Sequence, residues 1–417
     1  MLELFRASGY EVVPFDADAD VYVLNTCTVT GTGDKKSMQI VRRLRREHPL
    51  GQIVLCGCLA QRKGEELRGT GARLILGTQR RNEVVALLER AVREQVQLCA
   101  VAPLEKGMPF EELTIDDQEA HTRAILKIQE GCNNHCTYCI IPSVRGPIRS
   151  RPLDEIRSEA ARLAARGVRE IVVTGIHLSS YGRDLAEQPS LTDALQCLQD
   201  TPGIERIRLG SLEPNIATPA FAATLAGMHK ICPQFHLALQ SGSDGVLKRM
   251  ARRYTAAEYR AGVANLRAAF PQAAFTTDVL TGFPAETEQE YQETRAMIEA
   301  IGFARIHVFP YSPREGTPAA RMAGALSNTV KEERARALIA LGQQTSEAYR
   351  RGWLGRQAEI LLEEADDTGW VGYTREYIPV SVPLSGDGWR GRFIQVRLTG
   401  LTKDGMTGEA IDAIHTR

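Results

Sequence analysis

The chain has 417 residues, with 51 Lys plus Arg balancing 51 Asp plus Glu. That length exceeds one ordinary hydrophobic core and predicts two or three domains. No apolar run nears the ~20 residues that cross a bilayer, the N-terminus MLELFRASGYEVV lacks the order of a secretory signal, and zero net charge excludes a global field for nucleic acid. A cytoplasmic protein without membrane association is expected, with any RNA contact confined to local basic patches.

Strand-like runs VYVLN (21–25), IVLC (53–56) and LIL (74–76) alternate with helical patterns such as NEVVALLERAV, so residues 1–100 read as a parallel α/β unit. Residues 101–120 carry Pro103, Pro109 and the acidic stretch EELTIDDQE and read as a linker. From 121 to 355 the runs AILKI, EIVVTG, RIRLG, FHLAL, FTTDVL and RIHVF alternate with helices and end in the long pattern KEERARALIALGQQTSEAYRRG. Six β/α units predict a partial (β/α)6 TIM-like barrel, whose chemistry belongs at the C-terminal ends of the strands. Residues 356–417 change to short alternating runs (AEILLEE, EYIPVSVP, FIQVRL) broken by Gly and Pro, the pattern of a small antiparallel β-barrel.

Nine cysteines without a secretory signal read as thiols or metal ligands, not as a disulfide framework. Cys99, Cys197 and Cys232 carry no spacing signal and are expected to pack as small hydrophobes. The run QEGCNNHCTYCIIPSVRG is different: it spaces Cys132, Cys136 and Cys139 as C-x3-C-x2-C directly after the first barrel strand. Three thiolates on one loop can hold three irons of a [4Fe–4S] cubane and leave the fourth open to chelate the amino and carboxylate groups of S-adenosylmethionine (SAM). Cubanes that only transfer electrons are closed by a fourth Cys. A zinc site completed by His135 or a distant cysteine competes with this reading, and three unrelated cysteines are a third possibility.

The run C-N-N-H-C-T-Y-C matches the radical SAM signature C-x3-C-x-aromatic-C, with Tyr138 at the aromatic position. Across its whole length the chain resembles the methylthiotransferase branch of that superfamily. The nearest likeness is the MtaB type, which 2-methylthiolates N6-threonylcarbamoyladenosine in tRNA. The resemblance is carried by NTCTVT around Cys27, GCLAQR around Cys58, VVTGIHLSSYG, RIRLGSLEP, HLALQSGSDGVLKRMARRY, TDVLTGFPAET and FPYSPREGTPA. GYTREYIPV resembles the start of a TRAM domain, a small RNA-binding β-barrel. Each motif is weak alone; their order and separations make them specific.

The resemblance implies SAM contacts at strand ends: Thr174 and Gly175 for the amino group, Ser211 and Glu213 for the ribose, Gln240 and Ser241 after the fourth strand, and Asp278 and Gly282 on the strand beneath the adenine. His177 and His236 lie among these motifs, but a lone histidine is more often structural. A second [4Fe–4S] cluster is also implied, with Cys27 and Cys58 as ligands. Its third cysteine belongs to a strand upstream of a helix resembling MLELFRASGY; the chain begins inside that helix, so this ligand and first strand are missing from it, through a start assigned too late, the favoured reading, or a real truncation, and the second cluster is doubtful. Cys56 is the nearby spare and reads as core.

Carbon 2 of adenine has a strong C–H bond that acid–base chemistry cannot functionalise. On the family's pattern one SAM methylates sulfur at the second cluster, and another is cleaved at the trio's cluster to a 5′-deoxyadenosyl radical. The implied partners are a tRNA substrate, an electron donor such as flavodoxin or ferredoxin, and a sulfur source. Basic residues with interleaved aromatics suit RNA: Arg42, Arg43, Arg45 and Arg46; Arg145, Arg149 and Arg151; and Arg390, Arg392, Arg397 and Lys403 with Tyr373, Tyr377 and Trp389. Removing 356–417 is therefore expected to weaken tRNA binding and to spare SAM cleavage. The competing functions are a ribosomal-protein aspartate methylthiotransferase and a non-catalytic iron–sulfur RNA-binding protein.

Overall fold

The computed structural model describes residues 1–29, 31–111, 122–367 and 369–411, so the 112–120 part of the expected linker lies outside the described residues. The chain divides into two units. One holds residues 1–111 together with Glu130–Arg149 and Ser312–Arg321; the other holds residues 122–129, Ser150–Tyr311 and 322–411. The cysteine loop thus groups with the N-terminal sheet rather than with the barrel strand that precedes it in sequence.

The first unit is built on a four-stranded parallel sheet in the order Val21–Thr26, Gln52–Gly57, Leu74–Leu76, Leu98–Cys99. Its central strands read as continuous apolar runs because helices cover both faces. Leu2–Ala7 and Val84–Arg93 bury Phe5, Leu87 and Leu88 against Val54, Cys56 and Leu74. Gly31–Glu47 buries Val41 and Leu44 with Ile53, Leu55 and Ile75. Val21–Thr26 pairs directly with Gln52–Gly57, residue for residue, so the backbone groups between these strands are satisfied. The two-residue strand Leu98–Cys99 is too short to show a period and escaped the sequence pattern.

In the second unit the six anticipated strands form, each parallel to its neighbours: Arg123–Glu130, Glu170–Gly175, Arg206–Leu209 continuing as Ser211–Leu212, Gln234–Leu237, Ala274–Thr281 and Arg305–Pro310. Leu126, Ile128, Ile171, Val173, Ile207, Phe235, Phe275 and Val279 face the surrounding helices and form the core. The alternate positions, among them Ile125, Thr174, His236, Asp278 and His307, are only partly covered or exposed. The outer helices begin where the sequence supplies caps: Ser190, Thr255 and Thr287 each close a reciprocal capping box.

After the helix Asn328–Arg351 the chain forms a closed five-stranded barrel, Gln357–Asp366, Gly369–Thr374, Pro379–Val382, Met406–Ala410 and Phe393–Leu401 in ring order, around Ile360, Leu362, Val380, Val396, Leu398 and Met406. The expectation of a purely antiparallel barrel needs one correction: Pro379–Val382 pairs parallel to Met406–Ala410, and that pair closes the ring.

This small barrel is fastened to the N-terminal ends of the larger one's strands. Arg206 is fully buried and donates to the Tyr373 and Glu359 carbonyls and to the Glu359 carboxylate, each at 2.9 Å. Arg208 donates to Glu170 at 2.9 Å and to the Arg375 carbonyl at 2.9 Å. Arg123 lies over Tyr373 and Tyr377, whose rings stack at 4.7 Å. The lower end of a β/α barrel is where such stabilising contacts belong.

Candidate active site

Cys132 and Cys58 each follow a glycine that turns the chain out of a strand. Gly131 has φ +71°, and a Cβ there would meet the Pro147 carbonyl oxygen at 1.9 Å. Only glycine lets the chain turn this sharply out of the strand. The Cys132 N–H then donates to the Gly146 carbonyl at 3.0 Å, the Cys139 N–H closes a turn on the Cys136 carbonyl at 3.0 Å, and the Asn134 N–H points at the Cys132 sulfur at 3.3 Å. Cys136 is buried, Cys132 and Cys139 are partly exposed, Tyr138 is half-buried and His135 is exposed. Gly57, at φ +93°, does the same for Cys58: a Cβ would meet the Thr26 carbonyl at 2.5 Å.

None of the nine cysteines is in a disulfide. Among the described residues no three thiol, imidazole or carboxylate groups converge on one metal ion. A cubane does not require that, because each thiolate binds a different iron. Three thiols on one tight loop, one buried and two accessible, fit such a cluster.

Cys58 opens the helix Cys58–Lys63 and packs on Ile140 and Val144 of the segment that follows the cysteine trio. Arg145 donates from Nε to the Cys58 sulfur at 3.0 Å and from a terminal nitrogen to Glu130 at 3.1 Å. Burial pushes the Cys58 thiol up, the Arg145 charge and hydrogen bond oppose it, and nearby Cys27 adds to the rise. Cys27 is exposed; its neighbour Thr28 is buried and bonds Asp34 at 2.8 Å. Arg314 contacts both Thr28 and Asp34, and Arg62 reaches Asp34 at 3.4 Å. Cys56 is set apart from this group: it is wholly buried in the apolar core with Phe5, Val54 and Leu74, and desolvation pushes its thiol up to about 11.

The strand-end residues of the second unit form a polar ring. Gly175 packs so closely on Gln129 and Leu178 that a Cβ would sit 2.9 Å from each, with Thr174 partly exposed beside it. Gln129 accepts from the His177 N–H at 2.6 Å, and the His177 ring contacts Ser180. Glu213 receives both its hydrogen bonds from Arg252, at 2.8 and 2.7 Å, and lies 3.8 Å from His177, while Ser211 is exposed. Gln240 has φ +59° and bonds the backbone of Asp278 and Leu280; Ser241 is buried against Thr294. Gly282 has φ +73° and donates to Glu286 at 2.8 Å. Asp278 lies 3.5 Å from His236. Arg252 went unnoticed in the sequence; its only signal was its place in RMARRY.

The basic candidates divide. Arg145, Arg149 and Arg151 are half-buried or buried and bonded internally, because the chain after the cysteine loop runs back beside the first barrel strand, so they offer no RNA surface. Tyr373 is half-buried, stacked on Tyr377 at 4.7 Å with Arg123 over its ring, so part of its aromatic surface is already used within the unit. Arg390, Arg392 and Arg397 are exposed, with Arg392 5.4 Å from the Trp389 ring. Arg42, Arg43 and Arg46 are exposed; Arg45 is partly buried.

Residues 126–298 match the Radical SAM superfamily, and residues 1–77 match the Uncharacterized protein family UPF0004. The chain is 40% identical, over 95% of its length and 89% of the relative's, to "Threonylcarbamoyladenosine tRNA methylthiotransferase MtaB" of Bacillus subtilis. It is 33% identical to the Thermotoga maritima protein of that name, over 99% of this chain and 94% of the other. It is 34% identical to "tRNA-2-methylthio-N(6)-dimethylallyladenosine synthase" of Pelotomaculum thermopropionicum, over 97% and 92%. Among solved structures, the radical S-adenosylmethionine methyltransferase TsrM of Kitasatospora setae shares the fold, with a TM-score of 0.53 and 15% identity over 73% of this chain and 66% of that one.

Proposed function

Given that this chain belongs to the MtaB family of radical SAM methylthiotransferases, enzymes that use SAM and a [4Fe–4S] cluster, we propose that it converts N6-threonylcarbamoyladenosine in tRNA to the 2-methylthio derivative. The observation that carries the reading is the Cys132/Cys136/Cys139 loop, with the signature spacing and the turn at Gly131 that holds it. We assign residues 1–100 to a methylthiotransferase α/β domain, 121–355 to a radical SAM domain and 356–417 to a TRAM-like RNA-binding domain.

In this reading Cys132, Cys136 and Cys139 hold the radical SAM cluster, which when loaded supplies with SAM the carbon radical that acid–base chemistry cannot. The chain's own residues bind, orient and exclude water. Thr174, Gly175, Ser211, Glu213, Gln240, Asp278 and Gly282 are assigned to SAM. Arg252 fixes the Glu213 carboxylate with two charge-assisted hydrogen bonds, leaving its remaining lone pairs for hydroxyl groups. Cys27 and Cys58 are assigned to a second cluster, with the Arg145 N–H directed at the Cys58 sulfur as an outer partner that orients a ligand. Arg390, Arg392 and Arg397 are assigned to tRNA. A small electron carrier, a sulfur source and a cytoplasmic setting complete the proposal; no helix among the described residues is long and apolar enough to cross a membrane.

The test is anaerobic reconstitution with iron and sulfide, then incubation with SAM, reductant and tRNA bearing threonylcarbamoyladenosine. Formation of 5′-deoxyadenosine and a methylthio nucleoside by mass spectrometry is expected. A reconstituted protein that makes neither defeats the reading.

A further inference from the structure

Three adjacent parallel strands put a row of polar side chains on the open face of the larger barrel. The register sets His236 opposite Thr276 and Thr276 opposite Arg305; one step along, Asp278 is opposite His307. Burial identifies the face: Phe235, Phe275 and Val279 turn into the core, whereas His236, Asp278 and His307 are partly exposed and Arg305 is exposed. The Asp278 carboxylate lies 3.5 Å from the His236 Nε2, and the Thr276 hydroxyl lies 3.1 Å from its Nδ1. Burial depresses the basicity of His307, Arg305 and His236 push the same way and Asp278 opposes, which sets these groups within electrostatic reach of one another. Among the described residues Arg305 pairs with no carboxylate. No motif drew attention to Arg305 or His307.

The tRNA enzymes to which this chain is similar differ in the nucleoside they are named for. A threonylcarbamoyl arm carries a carboxylate, a hydroxyl, an N–H and a carbonyl. A dimethylallyl arm carries only hydrocarbon. Relatives of both classes match most of this chain, at 40% and 33% identity for two threonylcarbamoyl enzymes and 34% for the dimethylallyl one, so the discrimination is sought in side chains that meet the arm. Burying hydrocarbon against the Arg305 guanidinium and the His307 imidazole would leave both without a partner, a heavy penalty.

We infer that Arg305 and His307, with His236, receive the threonylcarbamoyl arm and set the specificity of the reaction. Arg305 pairs with the arm's carboxylate and His307 donates a ring N–H to it, while Asp278, assigned above to SAM, lies against the His236 ring. This rests on the tRNA reading proposed above and deepens it.

The experiment measures binding of the full chain at one salt concentration to anticodon stem-loop RNAs. These carry threonylcarbamoyladenosine, its methyl ester, dimethylallyladenosine or unmodified adenosine. The parent is expected to bind the free acid more tightly than the ester or the dimethylallyl RNA, on the order of ten- to a hundredfold. Arg305→Leu should bind acid and ester alike, and Arg305→Lys should keep part of the preference. His307→Phe should lose part of it. If the parent prefers the acid and both Arg305→Leu and His307→Phe keep that full preference, this inference fails alone. If the parent binds the acid no more tightly than the dimethylallyl RNA, the substrate reading fails and the inference with it.

Discussion

Replacing Arg208 with Leu tests whether the small C-terminal barrel is an accessory or a structural part of the catalytic one. Glu170 is 1% exposed and its carboxylate accepts from Arg208 at 2.9 Å, with Arg206 farther off at 3.8 Å. Arg208→Leu therefore strands a buried carboxylate with only more distant cations, and the Arg375 carbonyl loses its side-chain donor, whereas the Thr374 carbonyl keeps the Tyr377 N–H. Breaking a buried pair from one side costs about 3–5 kcal/mol; the residual Arg206 places this site near the lower end, about 3 kcal/mol. The assay is urea unfolding followed by tryptophan fluorescence. All three tryptophans, Trp353, Trp370 and Trp389, sit in or beside the small barrel, so the signal reports its release. Adding Glu170→Gln should recover part of the loss, because the stranded charge is gone. An Arg208→Leu protein within about 1 kcal/mol of the parent would refute the reasoning, since that is well short of the cost of an unpaired buried charge. If it holds, deleting 356–417 does not leave SAM cleavage intact, contrary to the expectation from sequence, since Arg206 would lose every hydrogen-bond acceptor it has in the small barrel.

Cys136→Ala should abolish 5′-deoxyadenosine formation and lower bound iron, whereas Cys56→Ser should keep the parent's iron content and lose stability, because Cys56 is core; equal iron in Cys136→Ala and parent would contradict the ligand assignment. Gly131→Ala should also cost iron, since the Cβ overlaps the Pro147 carbonyl and the turn must open; a variant with full cluster content would show the turn to be dispensable. Burial, with Arg252 and Arg183 adding, holds the His177 pKa below its ordinary 6.5, so the unfolded chain takes up that proton first. Stability is therefore lost as pH falls below about 6.5, and His177→Gln should flatten that slope in denaturation curves taken down to about pH 5. Alanine at Arg390, Arg392 or Arg397 should weaken tRNA binding and reduce the salt slope by roughly one for each phosphate no longer neutralised; unaltered slopes in all three would remove them from the interface.

The strands of the larger barrel were legible because apolar and polar positions alternate cleanly in FTTDVL and RIHVF, and the cysteine trio because its spacing is short and local. What escaped was what depends on distant pairing. Nothing near Arg145 says that its guanidinium will meet Cys58, 87 residues earlier. Arg206 and Arg208 read as ordinary charges in a strand, yet their partners lie over 150 residues downstream. Tyr373 looked like a base-stacking residue because an aromatic on a basic barrel suits RNA; only the register that sets it beside Tyr377 and under Arg123 reveals its structural role. The parallel pair in the small barrel was hidden for a simpler reason: MTGEA is polar, holds a glycine and shows no strand period.

The bonds from Arg314 to Thr28 and Asp34 span 286 and 280 residues of sequence. Arg314 belongs to Ser312–Arg321, a segment of the N-terminal unit, so that unit is not finished when its own sheet is made. A ribosome adding roughly 5–20 residues per second leaves the loop bearing Cys27 waiting for its clamp for tens of seconds. During that interval an exposed thiol beside an unanchored loop is open to oxidants and stray metals. If the proposed second cluster uses Cys27, its assembly is thus a late event, timed by the emergence of the ten-residue strap Ser312–Arg321.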